Sequence, residues 1–167
     1  HRYNEISNTI EDISDNNESN HQRYKKLLTD KELAVASTIK GKVIFAKTCG
    51  ACHQLYGEGG ILGPELTGSN RLNIDYLLSN ILEPSADIQD DYKMVVVTTR
   101  DGRTYLGTVA SDTDRHLVLN ILGQGKAKIN KSDIQSREDT PNSMMPAGLL
   151  DNMNDQEILD LVAYLKS

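Results

Sequence analysis

Tryptophan is absent from the 167 residues and phenylalanine occurs once. A core built from this chain alone would therefore be short of large aromatic side chains. No run of about 18 apolar residues occurs, so the sequence holds no transmembrane segment. Basic residues are outnumbered, 18 against 24 acidic, for a net charge of −6. That balance argues against a nucleic-acid or anionic-membrane surface, which needs a concentrated positive field. Cysteine is scarce too: there are two. The length suits one ordinary domain with a modest appendage, and a second full domain is not expected. The first residue is His1 rather than Met, which suggests a processed protein or an excised fragment, so the lack of a visible signal peptide says little.

What is present is concentrated around those two cysteines. Cys49-Gly50-Ala51-Cys52-His53 reads C-x-x-C-H, the pattern of c-type haem attachment. Two thiols three positions apart can form thioethers to both vinyl groups of one porphyrin. The following histidine then lies under the iron and offers an imidazole nitrogen as ligand. A buried macrocycle would also supply the bulk that the missing aromatics do not. Three blander readings compete. A Cys49–Cys52 disulfide would leave His53 without a role. A thioredoxin-like redox pair expects a βαβ context that is not seen here. A zinc site needs a second Cys/His pair at short spacing, which His1, His21 and His116 do not form.

Around this motif the chain has a readable organisation. Residues 1–28 are rich in Asn, Ser, Asp and Glu, and no period persists from Asn4 to Asn20, so residues 1–36 read as a polar tail or linker. Within it, Thr29-Asp30-Lys31-Glu32 has capping-box spacing and predicts a short helix from Asp30 to Ala36. Thr38 to Thr48, with Ile39, Val43, Ile44 and Phe45 at helical spacing, predicts the helix that delivers the cysteines. Gly57, Gly59, Gly60 and Gly63 then mark a loop too glycine-rich for a regular element. It reads either as a flexible linker or as a chain passing close to the haem, stiffened by Pro64.

Asn73 caps a predicted helix through Leu82, which Pro84 ends. Tyr92 to Thr99 and Thr104 to Ser111 predict strands joined at the Asp101-Gly102 turn, and His116 to Leu122 and Lys126 to Asn130 predict two more. With Asp133 to Arg137 as a further candidate, residues 92–137 form an inserted antiparallel sheet of four or five strands. Asn154 and Glu157 cap a last helix whose Ile158, Leu159, Leu161, Val162 and Leu165 line a buried face. The fold class expected is a mainly α haem domain, residues 37–167, carrying a small β insertion (α+β).

A thioether is a soft sixth ligand that raises haem potential opposite histidine. Four methionines are available. Met94 reads as core filler in a strand, and Met153 as a cover for the last helix. Met144 and Met145 lie in Ser143-Met144-Met145-Pro146, where Pro146 biases Met145 toward an extended backbone. Neighbours in such a backbone point oppositely, so only one can face iron. Met145 is the favoured ligand. Met144, a histidine, water or an open site are the alternatives. His116 reads as a turn-flanking, solvated residue.

Gly41-Lys42-Val43-Ile44-Phe45, Cys49 to His53, Gly63-Pro64-Glu65-Leu66-Thr67-Gly68 and Met145-Pro146 before Ala163-Tyr164-Leu165 resemble class I c-type cytochromes. Ile81-Leu82-Glu83-Pro84-Ser85, Asp101-Gly102-Arg103 and Ser143 to Leu150 bring the resemblance closest to the PVC-type CxxCH haem-binding domain, which inserts a β segment ahead of its methionine loop. This family usually has Leu where the chain has Met144.

The resemblance covers about Ser37 to Ser167 and implies one covalent haem c on Cys49 and Cys52, with His53 and Met145 as axial ligands. It further implies a Pro64 carbonyl accepting from the other ring nitrogen of His53, Gly41 and Phe45 packed near Leu161 and Tyr164, and Arg71 near a haem propionate. It implies single-electron transfer with a redox partner protein such as a dehydrogenase, rather than catalysis by the chain itself. Because bacteria attach haem outside the cytoplasmic membrane, it also implies a periplasmic or exported location. The competing function is a peroxidase-like enzyme or a gas or redox sensor, either needing an open or displaceable sixth site. The β insertion is open to two roles, docking the haem to a partner or bracing its pocket.

Overall fold

The computed structural model describes residues 16–167 and divides the chain into two compact units. One comprises the chain through Lys42 with Asn70–Glu83 and Ala147–Ser167; the other comprises Val43–Ser69 and Pro84–Pro146. Among the described residues the fold is mixed, with five α-helices and a five-stranded antiparallel sheet.

The first unit is helical. Helix α1 occupies residues 16–27, α2 Asp30–Val35, α4 Ile74–Leu82 and α5 Asp155–Lys166, while α3, Thr38–Thr48, starts here and ends in the second unit. Helix α1 corrects the reading of residues 1–36 as a tail: Tyr24 and Leu28 are buried at its end, and His21 and Lys25 both reach Asp75 at the start of α4 (3.1 and 2.9 Å). Two apolar side chains at one end of a polar segment leave no period to detect, and short helices are held by tertiary contacts rather than by propensity. The part of that reading that covers residues 1–15 lies outside the described residues.

Short-range signals are realised as expected. Thr29 Oγ1 accepts from Glu32 N at the start of α2, and Asn73 Oδ1 accepts from Tyr76 N at the start of α4. Asn154 and Glu157 form a reciprocal capping box on α5, with bonds of 2.8 and 3.2 Å. Asn154→Ala removes the acceptor for Glu157 N–H and should cost about 1 kcal/mol, read as a lower denaturation midpoint with an unchanged slope in urea.

Helix α3 spans the expected residues, Thr38–Thr48. Phe45 is buried, but Ile39 and Val43 are 81% and 53% exposed. The residue that brings α3 close to its neighbour is Gly41, where a Cβ would lie 1.9 Å from Asp160 O and 2.8 Å from Tyr164 Cβ. A glycine carries no hydropathy signal, so the spacing of the apolar residues does not reveal this contact. The Asp160 carboxylate, almost wholly buried, accepts from Ser37 N (2.8 Å) and Gln156 Nε2 (2.9 Å). It thus sits at the N-terminus of α3, where a negative charge is favoured.

The second unit is built on the sheet. Strands β3 (Lys93–Thr99), β4 (Thr104–Asp112), β5 (His116–Ile121), β6 (Gly125–Asn130) and β7 (Ile134–Ser143) lie in the order β6-β5-β4-β3-β7, every neighbour antiparallel. Val95, Val97, Leu117, Leu119 and Ile129 form its apolar face, alternating along their strands as a half-buried sheet requires. Asp101-Gly102 makes the β3–β4 turn, with Gly102 at φ +86°. Strand β7 runs six residues beyond the expected Arg137. Only Thr140 is buried between Gln135 and Ser143, so the segment lacks alternation. Pro141 is tolerated because β7 is an edge strand.

Candidate functional site

Helix α3 carries its hydrogen bonding into the cysteine motif: Cys49 N and Gly50 N both donate to Phe45 O at 2.8 Å. The backbone then closes a tight turn in which Cys52 N and His53 N donate to Cys49 O (3.1 and 2.9 Å). The two thiols are free and partly buried. Burial, and secondarily the neighbouring Cys52, pushes the Cys49 thiol up to about 12, and burial also raises that of Cys52. A thioredoxin-type pair needs the opposite, a thiol with a depressed pKa. Among the described residues no three His, Cys, Asp or Glu side chains converge as a metal site, as a zinc centre would require.

His53 is fixed by the segment that follows. Its Nδ1 lies 2.7 Å from Pro64 O. A carbonyl can only accept, so Nδ1 carries the proton and Nε2 keeps its lone pair. Gly63 lies against the ring: a Cβ there would come within 2.6 Å of Cε1 and 2.9 Å of Nδ1.

The glycine loop folds back along the whole motif. Gly60 N donates to Gly50 O and Gly63 N to Cys52 O, both at 2.8 Å. Cβ atoms at Gly59 and Gly60 would sit 2.0 Å from the carbonyl oxygens of His53 and Ala51. These residues are therefore glycine for close backbone approach, and the loop is no free linker. It even contains a regular element the composition hides, the ribbon β1 (Gln54–Leu55) paired with β2 (Glu58–Gly59). Thr67 secures its exit, donating from N to Glu65 Oε1 (3.0 Å) and accepting at Oγ1 from Tyr56 N (2.8 Å).

Met144 and Met145 are half-buried where the chain bends after β7. Met145 N donates to Ser143 Oγ (3.0 Å), and Ser143 N to Ser85 Oγ (3.1 Å). Ser143 is a positioning contact that hydropathy reading misses; a serine two residues ahead of a ligand candidate is the local turn signal that could have found it. Met94 is in β3, Met153 precedes α5, and His116 flanks the β4–β5 turn, its N–H donating to Thr113 Oγ1. Cys49, Cys52, His53, Pro64 and Met145 all belong to the second unit. Arg71 belongs to the first, where its Nη1 donates to Leu165 O (2.9 Å) and Ser167 O (2.5 Å).

The donor set fits haem c: two unpaired thiols at the required spacing, an imidazole with Nε2 uncommitted by its Nδ1 bond, and a glycine-lined approach beside it. Comparison with protein families agrees, since the cytochrome c family model matches residues 39–167. The chain belongs to the cytochrome c family. It is a haem-binding electron-transfer domain of that family, with haem c held covalently. No curated protein matches the chain. Among the described residues no helix is long and apolar enough to cross a membrane.

Proposed function

We propose that the chain is a monohaem electron carrier or relay of the PVC-type branch, a cytochrome c-like fold that holds a single haem c. Cys49 and Cys52 would hold the group through thioethers, and His53 and Met145 would be its iron ligands. Haem c, when bound, supplies an iron that alternates between ferric and ferrous states. The observation that carries the reading is the committed tautomer of His53: with Nδ1–H given to Pro64 O, Nε2 is left to ligate, and the carbonyl bond raises its donor strength.

The protein's part is to fix ligands rather than to transform a substrate. Gly63 and the loop around it hold the imidazole in one orientation, so little has to rearrange when the charge on the iron changes. Met145, through its soft thioether sulfur, would close the position a substrate or gas would use. The redox partner is another protein, such as a dehydrogenase, and the chain works in the periplasm or outside the cell.

The test is covalent attachment. Acid-denatured, solvent-extracted protein should keep its Soret absorbance and exceed the apoprotein mass by one haem; Cys52→Ala should leave at most one thioether and a haem far more easily lost. Haem released from wild-type protein on extraction, or a mass increase of two haems, sinks the reading. Reduced wild-type protein should also fail to bind carbon monoxide.

A further inference from the structure

We propose that the five-stranded sheet is the bracket that sets the strength of the His53 ligand, and that Thr108 on β4 is its positioning residue. This rests on the reading of His53 as an axial ligand.

The observation is a buried hydroxyl with a specific acceptor. Thr108 is 1% exposed, and its Oγ1 donates to Leu62 O at 3.3 Å. Leu62 is itself buried. The next residue, Gly63, lies against the His53 ring, and the one after it, Pro64, accepts from His53 Nδ1. A strip of three residues is thus pinned at one end by the sheet and holds the imidazole at the other. Gly63 N, bonded to Cys52 O, ties its middle to the cysteine turn. Hydrogen bonding of this kind to a ligating histidine fixes ring orientation and raises its basicity.

The same sheet holds the loop of the other ligand. Strand β4 pairs with β3 through Val95↔Gly107, and β3 pairs with β7 as far as Lys93↔Ser143. Ser143 Oγ then accepts from Met145 N. One antiparallel ladder therefore runs from the strip beside His53 to the residue beside Met145, which is why a β insertion in a haem domain needs no substrate or partner to explain it. Without Thr108 the strip loses its anchor at Leu62 and the Pro64 carbonyl is free to draw back from Nδ1. A weaker Nδ1–H bond makes His53 a poorer electron donor, and a poorer donor favours ferrous over ferric iron.

In haem-loaded protein, Thr108→Val keeps the shape and deletes the hydroxyl. The reduction potential should rise, by a change of up to about tenfold in the reduction equilibrium, ~59 mV for one electron. Hydrogen exchange at the Gly63 amide should accelerate in parallel, and Thr108→Ser should restore both. Thr99→Val is the control, because Thr99 is also buried but its hydroxyl bonds Asp101 and Arg103 O within the β3–β4 turn; it should lower the melting temperature and leave the potential alone.

An unmoved potential in Thr108→Val, or an equal shift in Thr99→Val, overturns the proposal. If Thr108→Val does not mature, Thr108→Ala reads the same two signals. A wild-type spectrum without histidine-ligated low-spin iron would instead defeat the ligand assignment, so the two failures are distinguishable.

Discussion

Met145→Ala should abolish the weak charge-transfer band near the red end of the visible spectrum that marks iron–thioether bonding, while the haem stays attached. In the proposed reading attachment depends on Cys49 and Cys52, which precede Met145 by more than ninety positions in sequence and lie in a turn of their own. Reduced variant protein should bind carbon monoxide and oxidised protein cyanide, because alanine leaves the sixth position to water. The reduction potential should fall, since a soft ligand that favours ferrous iron is gone. A drop on the order of 0.1 V is expected, a fraction of the roughly 0.8 V range that axial ligands set. Met144→Ala should leave the band in place. It is Met145 whose amide is tied to Ser143 and whose backbone is restrained by the following Pro146. If the Met144 variant loses the band and the Met145 variant keeps it, the ligand assignment inverts while electron transfer stands. Wild-type protein that lacks the band and binds small ligands readily would bring the enzyme or sensor reading forward.

The parts of this site that could be read from sequence are those whose chemistry demands contiguous residues. C-x-x-C-H is legible because two thioethers to one ring fix a three-residue spacing. The cap on α5 is legible because Asn154 and Glu157 act within one turn, and the β3–β4 turn because Asp101-Gly102 tolerates the positive φ found at Gly102. Contacts made at a distance along the chain were not legible. Thr108 and Leu62 are 46 residues apart, and nothing local marks that threonine as different from Thr98 or Thr104. An exposed edge strand carries no alternation, so β7 is legible only to Arg137, and its continuation to Ser143 is fixed by pairing with β3. Residues 16–27 have the composition of a tail because their stabilising contacts, His21 and Lys25 with Asp75, are made to α4. The close packing of α3 is set by Gly41, a glycine that carries no hydropathy signal.

That glycine leaves no room for a side chain. Gly41→Ala places a methyl carbon 1.9 Å from Asp160 O and 2.8 Å from Tyr164 Cβ. The first of these is backbone in the middle of α5 (Asp155–Lys166), not the end of a flexible side chain, so relief requires the start of α3 and α5 to move apart. Overpacking alone costs typically about 1–3 kcal/mol. Here it also strains the bond from Ser37 N to the Asp160 carboxylate, and a buried carboxylate that loses a donor adds a further ~1–3 kcal/mol. A total near 3 kcal/mol is a large share of the roughly 5–15 kcal/mol that holds a domain folded. For a chain of this size it should lower the melting temperature by about 6–12 °C. Gly68→Ala is the matched control: a Cβ at Gly68 meets nothing within 4 Å, and its melt should stay close to wild type. Thermal unfolding of the haem-loaded variants followed in the far ultraviolet checks both. A Gly41→Ala protein that melts with the Gly68 control would mean that α3 and α5 are not in backbone contact at this point.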